Sequence, residues 1–205
     1  MYLAYLTILL ATRAWGWWLA ALFLIVIASA ASLELRRLWP DKPLRWLGVS
    51  LLVFAGLAHL LFPRGVDGAA LYSAAVLLVA VTDSFAQLVG KLMGKHKLCP
   101  QLSPGKTVEG LLGGYFAAFV LALLTPFLFP GRSPSQALIF AAVTATAAVL
   151  GDLSFSWIKR RFGLKDFSNW IPAHGGVLDR VDSLVLGAPA FYWTWRLLET
   201  SSARA

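Results

Sequence analysis

Acidic side chains interrupt stretches of this sequence that are otherwise apolar. They are Asp83, Glu109, Asp152, Asp179 and Asp182. A carboxylate is costly in an apolar segment, so its presence there indicates a functional site. Asp179 and Asp182 share one helical face because they are three residues apart, and Asp152 and Ser156 share another because they are four apart. Carboxylate oxygens bind Mg²⁺, which in turn bridges phosphate groups.

Basic and small residues surround these carboxylates in two loops. The first loop contains Lys91, Ser103, Lys106 and Thr107, and the second contains Lys159, Arg160, Lys165, His174, Gly175, Gly176 and Arg180. Residues 103–107 lead into a predicted helix, whose free N–H groups bind anions. Taken alone, that segment is more simply an ordinary helix start with a solvated lysine. The glycine pair allows a close approach to phosphate, and His174 could bond phosphate or move a proton.

Buried ion pairing is the alternative interpretation of these charges. Asp152 with Lys159, or Asp179 with Arg180, would then only neutralise helix ends. For a single aspartate the two interpretations are equally good. Several carboxylates facing many cations on one side of a membrane favour a site for a metal ion and phosphates.

Apolar helices must position these residues. Of the 205 residues 59% are hydrophobic and 14% are charged, whereas soluble domains carry about 25% charged residues. Predicted membrane helices cover residues 16–35, 46–62, 69–90, 107–129, 136–158 and 177–197. The sequence therefore predicts an all-α, polytopic integral membrane helix bundle of about six transmembrane helices. The apolar residues 1–12 would add a short N-terminal helix whose placement stays open.

We expect one integral membrane domain over residues 1–205, with N-terminal helices in 1–68 and a catalytic core in 69–197. Most of the 18 basic residues fall on alternate loops, which the positive-inside rule places in the cytoplasm. The net charge of +8 is then explained by basic loops that face anionic lipids and anionic substrates. We do not expect nucleic acid as a partner. Residues 14–30 resemble a signal peptide, but we interpret them as a retained helix.

Three blocks of residues resemble the phosphatidate cytidylyltransferases, or CDP-diacylglycerol synthases. The longest block includes Ser156, the Lys159-Arg160 pair and the run IPAHGGVLDRVD at 171–182. A second block, between residues 83 and 110, includes the run SPGKT at 103–107, and the third is GDL at 151–153. The similarity extends over about residues 70–190.

The resemblance implies that the phosphate of phosphatidate attacks the α-phosphorus of CTP, giving CDP-diacylglycerol and pyrophosphate. The resemblance implies Mg²⁺ as the cofactor, with K⁺ as an optional second ion. It assigns metal binding to Asp152 and Asp179, with Asp182 and Asp83 as further candidates. Catalytic roles fall on Asp152, Asp179, Lys159, Arg180 and His174. Substrate binding falls on Lys91, Ser103, Lys106, Thr107, Arg160, Lys165, Gly175 and Gly176.

The expected partners are CTP, phosphatidate or a related lipid phosphate, and membrane lipids, and a homodimer is left open. We expect a multi-pass protein of the bacterial cytoplasmic (inner) membrane, with its active site facing the cytoplasm. Two residues depart from the family: Phe155 stands where the family has Glu, and Ala173 stands where it has Gly. Two alternatives stay open: a CTP-dependent lipid kinase of the polyprenol type and, because of Phe155, a non-catalytic lipid-binding homologue.

Overall fold

The computed structural model describes residues 29–34, 66–126, 129, 131–169 and 175–202. This part of the chain is mostly helical. A helical stretch at 29–34 comes first. The remaining elements are α1 (Val66–Met93), β1 (Lys97–Cys99), β2 (Ser103–Thr107), α2 (Val108–Leu124), α3 (Pro134–Arg161) and α4 (Leu178–Ser202).

The four helices α1 to α4 correspond to the predictions at 69–90, 107–129, 136–158 and 177–197. Leu71–Met93 and Pro134–Arg161 are long and apolar enough to cross a membrane, and α2 is a shorter apolar helix. Most of the predicted helix at 16–35, and all of those at 46–62 and 1–12, lie outside the described residues. The division into N-terminal helices and a catalytic core stays a prediction.

A two-stranded hairpin corrects the all-α prediction. Strands β1 and β2 pair antiparallel, with Lys97 opposite Thr107 and Cys99 opposite Ser103. Strands of three and five residues are too short for their side chains to show a clear alternation in sequence. Glu109 holds the hairpin, because its carboxylate accepts hydrogen bonds from the backbone N–H groups of Lys95 and His96. This acidic residue therefore organises a turn, although the sequence grouped it with the aspartates.

Local capping explains where two helices begin. The Thr107 hydroxyl accepts a hydrogen bond from the Gly110 N–H at 3.1 Å, which caps α2. Ser133 and Gln136 form a capping box at the start of α3. Such caps satisfy N–H groups that have no partner inside the helix.

Glycines allow the helices to approach closely. A Cβ added at Gly114 in α2 would lie 2.7 Å from the Thr82 carbonyl oxygen in α1. A Cβ at Gly151 in α3 would lie 2.6 Å from the Asp182 carbonyl oxygen in α4. Because Asp152 follows Gly151 directly, the second approach brings Asp152 and Asp182 to the same region.

Two apolar clusters fill the interior of the described bundle. One contains Phe129, Phe140, Phe191 and Trp195, near the end of α4. The other contains Phe155, Phe167, Leu178 and Val181, at the beginning of α4. The four aspartates predicted to be functional lie on the last halves of α1 and α3 and on the first turns of α4.

Candidate functional site

The Lys106 ammonium lies 2.5 Å from a carboxylate oxygen of Asp152. Strand β2 supplies the lysine and helix α3 supplies the aspartate, so the ion pair connects the hairpin to the bundle. Ser156 donates a hydrogen bond to the other Asp152 oxygen at 3.3 Å. This bond confirms that Asp152 and Ser156 share a helical face.

Asp182 lies next to this pair. Its side chain is buried, and one carboxylate oxygen accepts a hydrogen bond from the Ser183 N–H at 2.8 Å. Asp152 and Asp83 are close enough to Asp182 to repel it electrostatically, and Lys159 attracts it. Asp83 lies near the Ser183 side chain. Helices α1, α3 and α4 therefore each bring one carboxylate to this site.

Asp179 occupies a different environment. One of its oxygens lies 2.7 Å from the Lys159 ammonium. The other accepts hydrogen bonds from the N–H groups of Phe167 and Gly176, both at 2.9 Å. The two charged side chains are 5% and 10% exposed, so the pair is buried. Lys159 thus pairs with Asp179, and the alternative pairing with Asp152 proposed above is wrong.

The remaining predicted site residues are distributed over the last turn of α1, the hairpin, the end of α3 with the loop that follows it, and the start of α4. Arg160 donates hydrogen bonds to the carbonyl oxygens of Leu102 and Leu164. Thr107 caps α2, and Ser103 pairs with Cys99 in the hairpin. The surface positions are Lys91 and Lys165, and the half-buried ones are Gly175 and Arg180. His174 and Ala173 lie outside the described residues.

Glu34 is a buried acidic residue that the sequence interpretation did not select. Its carboxylate accepts hydrogen bonds from Ser168, Val177 and Leu178. A signal was present, because Glu34 lies near the inner end of the predicted helix at 16–35. The criterion that selected the aspartates, an ionisable residue in an apolar segment, applies to it equally.

Phe155 lies in the apolar cluster at the beginning of α4. It is 1% exposed and meets Phe167 edge to face, with 6.0 Å between ring centroids. The Lys159 ammonium lies 5.5 Å from the centroid of the same Phe167 ring. Phe155 therefore packs beneath the Lys159–Asp179 pair rather than taking part in the polar site.

The described residues contain no group of three or more His, Cys, Asp and Glu side chains that could hold a metal ion alone. Mg²⁺ does not require such a group, because it is usually bound by one or two carboxylates together with substrate phosphates and water. Asp152 and Asp182, with Asp83 nearby, suit this kind of binding, since three like charges repel one another until a cation joins them. At Asp179 a metal would compete with Lys159 and two N–H groups.

The fold and the site define a helical, largely apolar protein with a charged site suited to phosphate compounds. Residues 1–198 match the cytidylyltransferase family. The chain belongs to this family, as the sequence blocks predicted.

Several curated relatives are similar to the chain. A phosphatidate cytidylyltransferase of Haemophilus influenzae is 37% identical over 196 residues, which cover 89% of this chain and 67% of the relative. The uncharacterized protein YnbB of Escherichia coli is 38% identical over 71% of this chain and 51% of its own length. A phosphatidate cytidylyltransferase of Bacillus subtilis is 43% identical over 58% of this chain and 45% of its own length. The match thus spans about half of the length of the last two relatives.

Proposed function

We propose that this chain transfers a cytidylyl group from CTP to phosphatidate, or to a related lipid phosphate, giving CDP-diacylglycerol and pyrophosphate. Family membership and the names of two relatives support this activity. The structural observation that carries it is the ion pair between Lys106 and Asp152, with Asp83 and Asp182 close to the same Asp152. Neighbouring carboxylates and lysines suit a triphosphate that arrives with a divalent cation.

The proposal includes a position in the cytoplasmic membrane, with the site facing the cytoplasm. Helix α2 is apolar on its buried face and also on its outward face, where Leu112, Phe116 and Leu124 are exposed. Helix α3 likewise exposes Ile139 and Leu150. A helix that is apolar all round is suited to lipid. A lipid phosphate would then reach the site from the bilayer and CTP from the water.

The proposed reaction is an in-line substitution at phosphorus. An oxygen of the lipid phosphate forms a bond to the α-phosphorus of CTP, and the bond from that phosphorus to the bridging oxygen breaks, releasing pyrophosphate. Lys106 would leave Asp152 and bind an oxygen of the triphosphate, where its charge stabilises the transition state. Lys159 would stay oriented by Asp179, and Arg160 and Arg180 would supply further positive charge near the phosphates.

Mg²⁺ belongs to this proposal, with Asp152 and Asp182 as its ligands and Asp83 and Asp179 as further candidates. When bound, the ion would neutralise triphosphate charge and polarise the phosphorus that is attacked. An additional K⁺ and a homodimer are also part of the proposal, resting on the family resemblance alone.

The test uses purified protein in detergent micelles with phosphatidate or, in parallel, a polyprenol as acceptor, together with Mg²⁺ and CTP labelled at either the α- or the γ-phosphorus. We expect label from the α-position in the lipid fraction, together with released pyrophosphate. Label from the γ-position with release of CDP would show a lipid kinase instead. Labelled lipid from neither position, with any divalent metal, would contradict an enzymatic role, and undetectable CTP binding would favour a non-catalytic homologue.

A further inference from the structure

The side chain of Glu34 is fully buried, although it carries a carboxylate. One oxygen accepts hydrogen bonds from the Ser168 hydroxyl at 2.7 Å and the Val177 N–H at 2.8 Å. The other accepts one from the Leu178 N–H at 3.0 Å. The donors come from two stretches of chain that are both more than 130 residues away in sequence. The hydrogen-bonding capacity of this buried carboxylate is therefore met by three donors, which indicates a specific structural role.

The surroundings of Glu34 are shaped for a carboxylate. The N–H groups of Val177 and Leu178 stand at the beginning of α4, where backbone donors lack partners within the helix and the helix dipole favours negative charge. Gly176 lies against the same side chain. A Cβ added there would come within 2.8 Å and 2.9 Å of the two Glu34 oxygens. Glycine at 176 therefore leaves the room that Glu34 occupies.

Glu34 and Asp179 join the same two stretches of chain at adjacent residues. Asp179 accepts hydrogen bonds from the N–H groups of Phe167 and Gly176. Glu34 accepts them from the next residues along, Ser168 on one stretch and Val177 on the other. The two carboxylates therefore hold both ends of the segment between 168 and 176. Loss of one carboxylate would therefore loosen the backbone that donates hydrogen bonds to the other.

We propose that Glu34 is a positioning residue for the reaction. Through Glu34 the N-terminal part of the chain fixes the start of α4, and with it the Asp179–Lys159 pair and Arg180. The side chain acts through these residues and touches no substrate. The effect on turnover rests on the proposed function, whereas the effect on the start of α4 does not.

Glu34→Gln and Glu34→Ala separate the effect of losing hydrogen-bond acceptors from the effect of losing side-chain volume. Glutamine has nearly the same shape but offers one acceptor oxygen, and its amide would face an N–H donor. Alanine offers no acceptor. We expect the start of α4 to loosen in both variants, and more in Glu34→Ala. Glu199→Gln is the matched control, since Glu199 lies at the opposite end of α4 with 42% of its side chain exposed.

The experiment measures amide hydrogen exchange of the full chain in lipid nanodiscs, together with steady-state kinetics. In Glu34→Gln we expect exchange at Val177 and Leu178 to accelerate about tenfold, with exchange in α2 unchanged. The kcat should fall about tenfold while the KM for CTP stays within about twofold, because Glu34 does not contact CTP. Ser168→Ala removes one donor and should shift both quantities in the same direction, by less. It provides the test if Glu34→Ala does not fold.

Two results would overturn the proposal or part of it, and a third would separate it from the proposed function. Unchanged exchange at Val177 and Leu178 in the folded variants would refute the role of Glu34 at the start of α4. Faster exchange with unchanged kcat would refute the positioning role. Faster exchange in a protein whose unsubstituted form makes no CDP-lipid would support the structural role and contradict the proposed function separately.

Discussion

Lys106 and Asp152 meet across the boundary between the hairpin and helix α3, with 2.5 Å between the ammonium and a carboxylate oxygen. The two side chains are 25% and 26% exposed, so solutes can reach both. Solvent screening makes an ion pair in such a position weak, at most about 1 kcal/mol. The lysine can therefore exchange this carboxylate for a phosphate at little cost in stability.

Lys106→Gln should weaken CTP binding. A hydrogen bond to a charged group contributes about 1.5–3 kcal/mol, so the KM for CTP should rise about tenfold or more. Lys106→Arg retains the charge and should have an intermediate effect. The matched control is Lys97→Gln, in the neighbouring strand, which removes an equal charge from an exposed position. Equal KM values for Lys106→Gln and Lys97→Gln would show that Lys106 does not bind the nucleotide.

Asp152→Asn should abolish turnover while the protein remains folded. The substitution removes a charge from the three-carboxylate site, and we expect the rate of CDP-lipid formation to fall at least about 100-fold. The free energy of unfolding should change by less than about 1 kcal/mol, because the pair with Lys106 is partly exposed. Turnover and thermal unfolding in detergent measure the two effects. A rate equal to that of the unsubstituted chain would disprove the metal assignment.

Asp179→Asn should reduce stability as well as turnover. Lys159 is 10% exposed, and the substitution removes the charge of the one carboxylate in direct contact with this buried ammonium among the described residues. Breaking a pair of this kind costs about 3 kcal/mol or more. Comparison with Asp152→Asn in the same unfolding experiment supplies the control. If the two variants unfolded at the same temperature, the structural role of the Asp179–Lys159 pair would be wrong.

Gly151→Ala should separate two of the carboxylates. The new Cβ would lie 2.6 Å from the Asp182 carbonyl oxygen, so α3 and α4 must move apart. Overpacking of this kind costs about 1–3 kcal/mol, and turnover should fall with it. Gly113→Ala is the matched control, because its Cβ would meet Val89 at 2.6–2.9 Å, away from the site. We expect it to lower stability but to retain kcat at temperatures where the protein is folded.

Phe155→Glu should destabilise the protein and gain no activity, although the resemblance to the cytidylyltransferases implies Glu at this position. Phe155 is 1% exposed among apolar side chains. A carboxylate there would lack water and a partner, so we expect a loss of about 3 kcal/mol or more. Phe155→Leu, which stays apolar, should cost much less in the same unfolding experiment. Higher turnover in Phe155→Glu would show that this side chain does reach the substrates.

Local patterns in the sequence determined much of the fold. Apolar runs predicted the helices α1 to α4, because the length and apolar pattern of a helix are properties of its own residues. The same patterns missed the hairpin at residues 97–107, whose strands are too short to have a period. The sequence grouped Glu109 with the aspartates for a related reason: its hydrogen-bond partners, Lys95 and His96, lie directly before that hairpin.

By itself the sequence determined the family, the kinds of charged residue at the site, and the shared face of Asp152 and Ser156, since rules of helical spacing reach about one turn. Only the tertiary structure decided which carboxylate meets which cation. Lys106 reaches Asp152, Lys159 reaches Asp179, and Glu34 meets Leu178, 144 positions away. Partners so distant are brought together by the packing of whole helices, which no local pattern encodes.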